Sequence, residues 1–114
     1  MVKTCEAYAK QALRFVQRAG MNDAVVGREC YCAREAGRFA AQRDMKSRRA
    51  DSQAHTLLEA RAYAQTAARW ARIVRAGSSC HAAHEDACDT LADAAMNAAN
   101  CAGYAVEVER GESW

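Results

Sequence analysis

Residues Cys80 to Ala105 read CHAAHEDACDTLADAAMNAANCAGYA. Within this run Cys80, His84, Ala87, Leu91, Ala94, Ala98, Cys101 and Ala105 recur at alternating intervals of four and three, the spacing that aligns side chains on one face of a helix. Apart from His84 and Leu91, nothing on that face is larger than cysteine. So thin an apolar stripe stabilises a helix only when a second helix lies very close against it. The run is a packing element first, and it implies a bundle.

The residues just before it supply the second helix. Gly77 is a natural left-handed terminator and Ser78 or Ser79 can cap the helix beyond it, so the turn is short and the flanking helices form an antiparallel hairpin. The earlier member, about 53–76, starts at Asp51 or Ser52 and carries the seam Leu57, Ala60, Ala64, Ala67, Ala71 and Val74. Tyr63 and Trp70 flank that seam on one edge, and Arg61, Arg69, Arg72 and Arg75 spread over an arc on the other.

Further back, the stretch 46–52 has no apolar periodicity and reads as the central connection. Ahead of it a helix at about 24–45, capped by Asn22 or Asp23, places Val26, Cys30, Ala33, Gly37 and Ala40 on one face with Val25, Cys32, Ala36 and Phe39 beside it. Gly27 and Gly37 each cost about 1 kcal/mol relative to alanine inside a helix, so close approach by a neighbour is their expected use. The first helix, about 5–19, is capped by Thr4 and ended by Gly20, with Tyr8, Ala12, Phe15 and Ala19 on one face, joined by Leu13 and Val16. The tail, 104–114, alternates apolar and acidic residues, and is expected either to fray or to lay Val106, Val108 and Trp114 on the bundle. The expected fold is therefore all-α: one domain, an antiparallel bundle of about four helices (5–19, 24–45, 53–76, 80–103) with a tightly packed, alanine-rich seam.

Composition agrees. The 114 residues contain no proline and six glycines, and alanine, arginine and glutamate lose little on entering a helix. The amino terminus lacks the apolar core of a secretory signal, and no apolar run approaches a membrane span. A cytoplasmic address is expected, where Cys5, Cys30, Cys32, Cys80, Cys88 and Cys101 would be thiols, although an even count leaves disulfides open.

The net charge of +2 conceals a segregation. Residues 1–76 hold fifteen Lys and Arg against seven Asp and Glu, a balance of +8, whereas residues 77–114 hold one Arg against seven acids, a balance of −6. Such asymmetry means surfaces for charged partners, or two parts that attract one another within one fold.

Few residues offer chemistry. Cys80, His84 and Cys88 stand at successive steps of four, a soft donor set that zinc or a thiol-redox function could use. No CxxC pair accompanies them, and a buried cysteine serves equally as a small hydrophobe. His55, His81 and His84 lack a visible orienting partner for acid–base or nucleophilic work. Phosphate loops, nucleophile elbows, zinc-protease motifs and calcium loops are all missing from the sequence. No enzymatic activity and no cofactor are expected. Glu85, Asp86, Asp89 and Asp93 form an acidic face suited to a protein partner, and Arg34, Arg38, Arg61, Arg69, Arg72 and Arg75 a basic one. The preferred function is an inhibitor or adaptor that binds a larger protein, such as a nucleic-acid-handling complex; phage-encoded inhibitors of bacterial defence complexes are the analogy. Direct nucleic-acid binding through the arginines is the other alternative.

Overall fold

The computed structural model describes residues 2–50, 52–78 and 80–112. They form α1 (Val2–Arg18), α2 (Asp23–Lys46), α3 (Gln53–Ala76) and α4 (His81–Glu112). The all-α four-helix bundle expected from the sequence is what the chain adopts. Local chemistry sets its boundaries. The Asn22 side chain accepts from the Val25 amide at 3.4 Å and Ser52 Oγ from the His55 amide at 3.1 Å, each satisfying a donor that a helix start leaves unpaired. Gly20 and Gly77 close α1 and α3 with φ of 77° and 78°, where a side chain would be strained. Ser78 Oγ accepts from the Cys80 amide at 3.3 Å just ahead of α4. Asp51, Ser79 and Trp114, each assigned a role from the sequence, lie outside the described residues.

α4 is the axle. Its 32 residues span about 48 Å at 1.5 Å per residue, close to the 52 Å long axis of a molecule only 20 Å across in the other two directions. α1, α2 and α3 all pack against it; α1 also packs on α3, touches α2 sparingly, and α2 does not meet α3. The core is correspondingly built from small side chains. Ala60, Ala64, Ala67 and Ala71 of α3 are buried, as are Ala87, Leu91, Ala94, Ala98, Cys101 and Ala105 of α4. Leu91, Val16 and Cys5 are the largest fully buried side chains.

A second close seam joins α2 and α4. A Cβ on Gly37 would collide with the Asn100 carbonyl, and one on Gly103 with the Arg34 carbonyl, so two glycines let the backbones meet. Further along, Gln42 reaches Glu107 and Met45 lies at Gly111. These pairs advance together, so α2 and α4 run parallel, whereas α3 and α4 are the antiparallel hairpin. Gly37 therefore has the use expected of it. Gly27 does not: nothing lies within 4 Å of the position its Cβ would take.

Three local expectations need correction. α1 begins at Val2, which puts Thr4 inside the helix instead of at its cap. The last helix does not end at 103: α4 continues through Tyr104, Glu107 and Val108, all buried, to Glu112, so that of the two outcomes expected for the tail Val108 is laid on the bundle, because α2 supplies the packing partner that makes a helix there worth forming. Finally, Val25, Cys32, Ala36 and Phe39 do not widen the inward stripe of α2; they face solvent, with Val25 39% and Phe39 65% exposed.

Candidate interaction surfaces

The fold uses a specific part of the charge on the chain. Arg38 Nε donates to Glu107 Oε2 at 3.0 Å and Gln42 Nε2 to Glu107 Oε1 at 2.9 Å, which satisfies a carboxylate only 3% exposed. The Gln42 hydrogen bond, and then Arg38, hold the Glu107 carboxyl below its ordinary pKa against the opposing effect of burial. Arg34 pairs with Glu6 of α1, and Arg38 also reaches Glu35 at 3.2 Å. Arg34 and Arg38, grouped by sequence with the α3 arginines, thus lie half-buried in internal ion pairs.

Much of the remaining charge is left outward. Glu85, Asp86, Asp89 and Asp93 are exposed on α4; Glu85 lies 3.0 Å from His81, and among the described residues Asp86, Asp89 and Asp93 form no ion pair. Continuing at helical intervals, this face reaches Asn100, Gly103 and Glu107, where α2 is seated. The acidic face is the uncovered extension of a helix seat. On α3, Arg61, Arg69, Arg72 and Arg75 are exposed, and they form no ion pair among the described residues. Arg72 and Arg75 line a hollow between α3 and α1 with Phe15 and Arg18, whose guanidinium carbon sits 5.9 Å from the Phe15 ring centroid. Lys3, Lys10 and Arg14 add exposed cations on α1. They were absent from the basic face expected from sequence, although their intervals of seven and four signal a single face.

The cysteines and histidines do not assemble into a site. Among the described residues no three His, Cys, Asp or Glu side chains are placed to hold a metal ion. Cys80 is exposed, and Cys88 Sγ lies 3.7 Å from His84 Nε2. Burial, then Asp89 and Glu85, push the Cys88 thiol up, the direction opposite to that of an activated nucleophile. All six cysteines are thiols. His55 pairs with Glu59 at 2.8 Å on the surface of α3. No helix among the described residues is long and apolar enough to cross a membrane. Comparison with protein-family models, with characterised proteins and with solved structures finds no match.

Proposed function

We propose that the protein is a non-enzymatic, cytoplasmic interaction protein that uses the acidic face of α4 to occupy a basic surface on a larger partner. The observation that carries this reading is the division of charge: the fold takes up Glu6, Glu35 and Glu107 with its own arginines and leaves Asp86, Asp89 and Asp93 without cations. Carboxylates about 5–6 Å apart on one helix face offer a row of negative charge that a phosphate-gripping groove can hold, which favours a nucleic-acid-binding complex as the partner. The test is capture from the native host with the wild-type chain and with Asp86→Lys/Asp89→Lys/Asp93→Lys. The proposal expects a basic partner that the variant loses at unchanged helix content and that duplex DNA displaces. Equal capture by both chains ends it.

The hollow between α1 and α3, with Arg18, Arg72 and Arg75 around Phe15, supports a second reading, direct binding of nucleic acid. Binding through it would weaken steeply as salt rises. Absence of any mobility shift with DNA or RNA at low salt eliminates it.

A further inference from the structure

The outward face of α2 carries a line of exposed apolar and small side chains among the charged residues Arg28, Glu29 and Arg43. Phe39 is 65% exposed and Val25 39%, with Cys32 and Ala36 exposed between them; Tyr31, also 65% exposed, stands about 100° around the helix from Cys32. Among the described residues no other helix covers this face: α2 meets α4 on its opposite side, touches α1 sparingly and has no close backbone approach to α3. The pattern along it is symmetric: Val25 and Phe39 stand seven residues before and after Cys32, an interval of two helical turns that keeps all three in line.

We propose that this face binds the same face of a second copy of the chain, the two α2 helices running antiparallel about a twofold axis at Cys32. That axis sets Phe39 against Val25 of the other copy, large against medium, at both ends of the contact. It also sets Arg28 opposite Ala36 of the other copy, which leaves room for the guanidinium to reach Glu35 one residue along. Arg28 is exposed and forms no ion pair within its own chain among the described residues. The Glu35 carboxylate is 34% exposed beside Arg38 and keeps acceptor capacity for a second cation. The surface is therefore self-complementary in size and in the Arg28–Glu35 pair, as an isologous interface requires, with exposed Glu29 on its rim. A parallel pairing would stack Arg28 on Arg28 and lose both features. The contact involves one helix from each side, at the small end of specific interfaces, so the dimer is reversible and dilutes apart.

Sedimentation of the full chain over the micromolar to millimolar range tests this. The expected result is a monomer–dimer equilibrium whose dissociation constant rises about a hundredfold in Phe39→Glu at unchanged helix content. Arg28→Glu weakens it as well, and Arg28→Glu/Glu35→Arg recovers part of the loss. In a Cys80→Ser background, a short bismaleimide links two copies through Cys32, and Cys32→Ser abolishes the link. A chain that stays monomeric throughout, a dimer indifferent to Phe39→Glu, or cross-linking that survives Cys32→Ser overturns the proposal.

Discussion

Arg38 and Glu107, 69 residues apart, join α2 to α4 through a 3.0 Å hydrogen bond from Nε to Oε2. Because the hydrogen bonds from Gln42 and then Arg38 hold the Glu107 carboxyl below the ordinary value of 4.5 despite its burial, the folded state binds that proton less readily than the unfolded chain. Its contribution to stability is therefore whole above pH 4.5 and fades as the pH falls through the lowered folded value. Urea midpoints measured downward from pH 6 should fall less steeply below pH 4.5 in Glu107→Gln than in the wild type. At neutral pH, Arg38→Met, which leaves the carboxylate short of a partner, should cost about 1–3 kcal/mol.

Two glycines of α2 should respond to alanine with opposite signs. Gly27→Ala meets open space and should stabilise by about 0.4–1 kcal/mol, because alanine has less backbone freedom to lose. Gly37→Ala meets the Asn100 carbonyl, and backbone cannot swing aside as a side chain does. A loss of about 1–3 kcal/mol or more is expected. Chemical denaturation of the two variants reads both.

Leu91 carries an outsized share of a core made largely of alanine, with a few valines and cysteines. It is fully buried, and the alanines that make up most of the buried core have no side-chain length with which to fill the space it would vacate. Leu91→Ala should lose about 2–5 kcal/mol, toward the upper end, seen as a lowered thermal midpoint by circular dichroism.

Thiol chemistry should divide along burial. Burial, then Glu59, pushes Cys101 up to about 12, and burial, then Glu29, pushes Cys30 up to about 11; Cys5 is raised too, also by burial first. Iodoacetamide at pH 8 should modify exposed Cys32 and Cys80 early and leave Cys5, Cys30 and Cys101 until the chain unfolds, as peptide mass spectrometry would register. The raised values also make the fold weaker as the pH rises above 9, where the unfolded thiols ionise and the buried ones resist.

Much of the fold was legible in the sequence where a residue's role is local. Asn22, Ser52 and Gly77 mark their helix ends by chemistry that needs no distant partner, and the alanine seams of α3 and α4 follow from periodicity. What failed was knowledge of where neighbours lie. Val25 and Phe39 share a helix with Val26 and Cys30, but only the position of α4 decides which stripe turns inward. Val106 to Glu109 alternates with period two, and the helix there exists because α2 runs alongside. Arg34 and Arg38 read as surface cations until Glu6 and Glu107 are found opposite them. Gly103, the counterpart of Gly37, was hidden in a run whose alanines already suggested close packing.

The uneven seating of α2 bears on how the molecule comes apart. α1, α3 and α4 each pack on the other two, whereas α2 depends on α4 nearly alone. An opening that lifts α2 sacrifices one main seam and spares the rest, while an opening of α4 removes the partner of all three other helices and leaves α1 and α3 holding only each other. Amide protons in α2 should thus exchange with solvent through a sub-global fluctuation of lower free energy, and those of α4 around Leu91 only on complete unfolding. The helix that presents the symmetric apolar stripe is the one the chain holds least redundantly, so pairing with a second copy would slow its exchange more than that of any other helix.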